Sequence, residues 1–205
     1  MMQRNDMTSA ELMEYYAETD HQLEKISVER ETLSVSCDFI ELTASSFNSC
    51  RFIESRFENS YFKAVEFIGC DLSAVRFSDS VFDTVKFIRC RLAGTVFSKS
   101  RFSSCIFEEC TGKYTVYADT EFKDSIFSNC SMPEITLTGA ELGVRVFMKD
   151  NNFSRGDFSH ISFKALDLSS CDISGARLSL GKLKGLSINY EQALMITEML
   201  GINII

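Results

Sequence analysis

From Phe47 to Phe147 an apolar residue returns at almost every fifth position. The series runs Phe47, Phe52, Phe57, Phe62, Phe67, Leu72, Phe77, Phe82, Phe87, Leu92, Phe97, Phe102 and Phe107. Gly112 interrupts it, and it resumes at Tyr117, Phe122, Phe127, Met132, Leu137, Leu142 and Phe147. A helix turns about 100° per residue, so successive members would scatter around it. A continuous strand would send them alternately to its two faces. The residue two before each member is usually small or β-branched, as at Ser45, Cys50, Ser55, Val65 and Cys70. Residues two apart on extended chain point the same way, so both face inward while the other three turn a corner. Each pentapeptide is one short side of a coil.

The number of sides follows from a second interval. Cys50, Cys70, Cys90, Cys110 and Cys130 all hold the inner minus-two position, twenty residues apart. Beside them stand Phe52, Leu72, Leu92, Gly112 and Met132, which include most departures from Phe among the first sixteen repeats. One column in four behaves differently, so four pentapeptides make a turn. With that period the sequence resembles the pentapeptide repeat family over roughly residues 40–188. The resemblance implies an all-β solenoid, a right-handed quadrilateral parallel β-helix. About 30 pentapeptides from Leu42 to Ile188 give about 7.5 coils, roughly 36 Å at the strand spacing.

The flanks read differently. Residues 1–7 read as disordered, and Thr8-Ser9-Ala10-Glu11 is a capping box. It opens a helix over roughly 9–21 with Leu12, Met13, Tyr16 and Ala17 on one side, suited to cover the first coil. Leu23, Val28 and Leu33 repeat the five-residue step irregularly, and the segment Cys37 to Glu41 breaks phase before Leu42. Residues 1–41 are thus a helix with an irregular first coil or cap, and 42–188 the regular β-helix. Within it, Gly112 leaves a vacancy that Tyr114 or a neighbour is expected to fill. A one-residue slip is placed near 148–152, because the later members fall at Phe153, Phe158, Phe163, Leu168, Ile173, Leu178, Leu183 and Ile188. Asn189 then caps a second helix from Tyr190 to about Leu200, stopped by Gly201, so that 189–205 form a separate C-terminal module.

Composition adds constraints. Eighteen Phe, one Pro and no Trp suit a stacked aromatic core. The eight Cys include no CxxC, and five share one inward column, so buried free thiols are expected rather than disulfides or a metal site. Nothing at the N-terminus reads as a signal peptide, and no apolar run approaches the ~18 residues of a membrane span, so a cytoplasmic protein is expected. The net charge is −8, but residues 1–45 hold ten acids and three bases while 46–147 hold thirteen and twelve. The rod itself is almost neutral. No phosphate loop, metal-spaced cluster or nucleophile–base motif appears, so neither enzymatic activity nor a cofactor is expected.

The string NYEQALMITEMLGI at 189–202 resembles the C-terminal segment of the Qnr-type (quinolone-resistance) group within this family. The resemblance implies a two-fold homodimer through that helix, with Leu194, Met195, Met199, Leu200, Ile202 and Ile204 at the interface. It also implies a role: binding a type II topoisomerase, chiefly DNA gyrase, as a DNA-like rod, and protecting it from poisons such as quinolones or peptide toxins. Such a rod takes the place of DNA and binds neither nucleic acid nor membrane. A dimer of about 70 Å would match some 20 base pairs at about 3.4 Å each. Acids able to supply local negative potential include Glu121, Glu141, Asp119 and Asp124. Apolar residues at outward positions offer a different contact: Ile106, Ile126 and Val146 on one face, Val96 and Val116 on the opposite one. The other reading is a generic interaction rod that uses these apolar columns to hold an unrelated protein.

Overall fold

Residues 8–19 and 21–203 are described by a computed structural model. The expected disorder of residues 1–7 lies outside them. Two helices cap a parallel β-solenoid of about 8 turns. Its first face is a seven-stranded sheet built from Gln22–Glu24, Glu41–Thr43, Tyr61–Lys63, Val81–Asp83, Arg101–Ser103, Glu121–Lys123 and Glu141–Leu142. The second face, also seven-stranded, runs from Ser27–Glu29 to Phe147–Lys149. The third face is mostly single parallel bridges, such as Asp71 beside Arg91, and the fourth mixes strands with bridges such as Val96 beside Val116.

The five-residue period produces this square because each side needs two inward residues and a sharp corner. Most corners turn on a residue with positive φ, such as Asn59 at 51°, Asp79 at 53° and Arg89 at 52°. Asn and Asp tolerate that region well, whereas Arg89 and Lys99 are held in it by the coils on either side. Inside, Phe rings stack along each column: Phe67 on Phe87 at 5.2 Å, Phe87 on Phe107 at 4.8 Å and Phe107 on Phe127 at 4.5 Å. Leu72 and Leu92 on the third face make room for the flanking columns to meet edge to face, as Phe87 meets Phe97 at 5.8 Å. The Cys column is buried, and all eight Cys are free thiols. Cys70, Cys90 and Cys110 each donate to a carbonyl of the coil below at 3.2 Å, from Phe47, Phe67 and Phe87.

Register locates two irregularities that the hydrophobic pattern places elsewhere. Leu33 pairs with Phe52, nineteen residues on, but Cys37 pairs with Phe57, twenty on. One corner residue is therefore missing between Leu33 and Cys37, and the solenoid already runs through this stretch from Gln22. The break is not at Cys37 to Glu41, because Cys37 itself is a buried column member. Likewise Phe122 pairs with Leu142, twenty on, whereas Phe127 pairs with Met148, twenty-one on. The extra residue lies in the corner Gly143–Arg145, ahead of 148–152. Val146 consequently points inward and Phe147 outward, the reverse of the sequence expectation.

The vacancy at Gly112 is filled by a neighbour, Thr115, and not by Tyr114. A Cβ there would lie 2.3 Å from Thr115 Oγ1, whose hydroxyl donates to the carbonyls of Leu92 and Gly112, both at 2.9 Å. Tyr114 instead stands exposed at the corner with φ 62°. On the neighbouring side Tyr117 is fully buried and stacks on Phe97 at 4.9 Å. Its hydroxyl has no hydrogen-bond partner. Burial, with Cys110, Cys130 and Cys105 nearby, pushes this phenol well above its ordinary pKa. Leaving a buried hydroxyl unpaired costs about 1–3 kcal/mol. Tyr117→Phe is therefore expected to keep or raise stability, by about 1 kcal/mol in urea unfolding. A clear loss would mean that the hydroxyl is satisfied after all.

The two ends are closed by different means. Helix α1 (Ser9–Glu18) starts on the full capping box of Thr8 and Glu11 and buries Met13 and Ala17. Its Glu14 accepts from the Ser36 backbone amide at 3.2 Å, tying it to the first coil. Helix α2 (Tyr190–Met199) starts on the capping box of Asn189 and Gln192. Gln192 also donates from Nε2 to the carbonyls of Leu168 at 2.9 Å and Cys171 at 2.6 Å. One side chain thus caps its own helix and satisfies two carbonyls of the final coil, an edge otherwise open to strand pairing.

Candidate interaction surfaces

Because neighbouring coils repeat every twenty residues, outward side chains form ladders about 4.8 Å apart, close enough to pair. Several ladders bring opposite charges together, although Arg56 meets Arg76 and Glu121 meets Glu141. On the second face Lys86 binds Glu66 at 2.8 Å, and on the first Arg101 approaches Glu121 at 4.0 Å. On the third face Asp71 sits between Arg51 and Arg91. At the corner beyond, the Arg155 guanidinium at 3.0 Å, joined by Lys113 at 3.3 Å, holds Glu134 below the usual carboxylate range. At these positions the near neutrality of the rod is local as well as global.

The acids singled out from sequence are placed as follows. Glu121 and Glu141 are exposed side by side in register on the first face. Asp119 is exposed at the corner before them, with φ 53°. Asp124 is half-buried and accepts from Arg145 Nε. Two of the four are therefore ion-paired, and no continuous acidic stripe runs along the rod.

The apolar positions fall on two opposite faces. Val96 and Val116 are half-buried on the fourth face and continue into Thr136. On the second face Ile106 and Ile126 stand in register, and the next member is Phe147, 57% exposed. The five-residue count assigns Phe147 inward because Val146-Phe147-Met148 is apolar throughout and fits either phase. Counting back from Phe153 by fives, which lands on Met148, is the signal that identifies the outward residue. Beside it the corner with the extra residue projects Val144, 61% exposed. Gly143 is required there, since a Cβ would sit 2.9 Å from the Phe122 carbonyl oxygen.

The C-terminal module presents a third surface. In α2, Gln192 and Ile196 are buried and Met195 packs against the core, so Met195 is turned toward the solenoid. Leu194 is half-buried. Tyr190 is 76% exposed, Leu200 53%, and Met199 and Ile202 are exposed as well. Ile204 lies outside the described residues. Among the described residues no group of His, Cys, Asp and Glu is arranged to hold a metal ion, and no helix is long and apolar enough to cross a membrane.

Two protein-family models agree with this architecture. The family model for pentapeptide repeats in eight copies matches residues 40–79, and that for a pentapeptide repeat region matches 80–149. No curated protein matches the sequence. Among solved structures, a trypsin-treated form of QnrB1, a plasmid-mediated fluoroquinolone resistance protein, is 17% identical, with TM-score 0.41 over 90% of this chain and 99% of that one. Full-length QnrB1 gives 16% identity and TM-score 0.29 over 88% and 100%. HetL, a pentapeptide repeat protein involved in heterocyst differentiation regulation from the cyanobacterium Nostoc sp., gives 14% identity and 0.29 over 88% and 94%. With the two family models together covering 40–149 and the twenty-residue register holding through that span, the chain belongs to the pentapeptide repeat family.

Proposed function

We propose that this protein is a rod-shaped binding module that dimerises through α2 and engages a type II topoisomerase, DNA gyrase, protecting it from poisons. The observation that carries the reading is the end of the rod. Tyr190, Met199, Leu200 and Ile202 remain exposed on the helix that follows the last coil, within the segment 189–202 whose sequence resembles the Qnr-type dimer helix. The core is filled by its own Phe, Leu and Cys side chains, so recognition belongs to the outside. The paired charges argue against a uniform negative potential as the source of affinity. Shape and apolar contact, centred on Ile106 and Ile126, are the better-supported means.

Purified gyrase should be retained by the immobilised protein, and duplex DNA should compete. The salt dependence should be shallower than that of DNA itself, because few net charges are involved. Ile106→Asp with Ile126→Asp should abolish retention, whereas Glu121→Lys with Glu141→Lys should weaken it less. In a supercoiling assay the wild type should restore activity in the presence of a quinolone. Absence of any gyrase binding at micromolar protein would leave the generic interaction rod, which the locally neutral surface also suits.

A further inference from the structure

We propose that the corner carrying the extra residue, together with the first face of the last two coils, is a docking surface for an acidic peptide segment bearing bulky apolar side chains. It adjoins Ile126, the ladder neighbour of Phe147, but its basic end lies on another face and it does not depend on the topoisomerase reading. Two shallow hollows meet there. One, of about 540 Å³, is lined by Leu142, Val144, Phe147 and Leu166 with Arg145 and Lys164. The other, of about 490 Å³, is lined by Lys164, Lys182, Lys184, Ser162 and Gly185. Ser162 and Lys164 belong to both, so the two form one trough with an apolar end and a basic end.

The charge pattern names the occupant. Elsewhere several bases meet acids one coil away, as Lys86 meets Glu66 and Arg177 meets Asp157. Lys164, Lys182 and Lys184 make no ion pair among the described residues, and Lys182 Nζ donates only to the His160 carbonyl at 3.1 Å. Of the nearby acids, Asp124 is already held by Arg145, and Glu141 lines the neighbouring hollow with Ser162 and Lys182. The four acids between 148 and 188, Asp150, Asp157, Asp167 and Asp172, all lie off the first face. Three ammonium groups without an ion pair, gathered beside exposed Phe147 and Val144, fit a partner that brings carboxylates and apolar anchors together. Nothing in the fold demands Phe147, since its column neighbours are Ile126, Ile106 and Lys86. The extra residue in the corner turned that Phe outward and opened the hollow beside it.

The test uses the full-length protein and three short labelled peptides, read by fluorescence anisotropy. The first alternates glutamate with phenylalanine and leucine, the second replaces the apolar residues by serine, and the third replaces glutamate by lysine. The first should bind saturably and weaken as salt rises. Its Kd should increase at least about tenfold with F147S, and likewise with the pair K164E and K184E. Substituting Ile53, exposed on the third face, by Ser should leave it unchanged. Because all these side chains are exposed, unaltered far-ultraviolet circular dichroism is expected and confines the effect to binding. The proposal is overturned if the lysine peptide binds as well, or if F147S and the lysine reversals change nothing. It is equally overturned if the serine peptide binds as tightly and duplex DNA displaces it, which would make the trough a polyanion site.

Discussion

Phe87→Ala is expected to lower the unfolding free energy by about 3–5 kcal/mol, the range for emptying a fully buried Phe site. Phe87 has no exposed surface and packs against four other Phe rings. It stacks between Phe67 and Phe107, meets Phe97 edge-on at 5.8 Å and lies tilted to Phe82 at 6.1 Å. Collapse around the hole is resisted because every backbone position beside it is fixed by parallel pairing to the coils above and below. In a solenoid each coil contacts only its neighbours, so the damage should be local before it is global. Hydrogen exchange should quicken first at the strands Glu66–Ile68, Lys86–Ile88 and Ile106–Glu108. A cost below about 1 kcal/mol in urea unfolding would contradict this packing.

The regular part of the fold was legible because a single rule acts at every repeat. Phe at one position and a small residue two before it serve the same purpose on all four sides, so the period survives local substitution. Both caps were legible for a different reason: Thr8 with Glu11 and Asn189 with Gln192 are local chemistry, needing no knowledge of the tertiary structure. The phase changes were harder to place. One residue lost after Leu33 and one gained at Gly143–Arg145 alter the corner, where side-chain identity is least constrained, while the inward positions on either side stay apolar. Around Val146-Phe147-Met148 three apolar residues in succession satisfy two phases, and only hydrogen-bond register distinguishes them.

The surface was less legible still, and the cause is pairing between coils. A list of acids cannot tell that Asp124 is spent on Arg145, twenty-one residues away, or that Glu134 is shared by Lys113 and Arg155. Nor does the net charge of the last coils indicate that their lysines gather on one face while their acids point elsewhere. Both facts come from the same twenty-residue ladder. Where the ladder pairs opposite charges, the surface is neutral and bland. Where it stacks like with like, as at Glu121 with Glu141, compensation has to come from a neighbour such as Arg101, 4.0 Å from Glu121.

Leu200→Asp is expected to convert a dimer into a monomer without altering the solenoid. The side chains of α2 that hold the helix to the rod are Gln192, Ile196 and Met195, and none of them is Leu200. Leu200 closes the helix at its C-terminal end, with Gly201 at φ 73° turning the chain away. With Tyr190, Met199 and Ile202 it is one of the large apolar side chains of this segment that the chain itself leaves exposed. In a two-fold interface each substitution appears twice, so one Asp per chain brings two unpaired carboxylates into the contact. Removing such charges from water without partners costs several kcal/mol each, more than a helix-sized interface can return. Light scattering at micromolar concentration should give twice the chain mass for the wild type and the chain mass for the variant, with matching circular dichroism. A wild-type monomer would remove α2 as a dimer helix. Gyrase retention by that monomer would then show that the outer faces of a single rod are sufficient for binding.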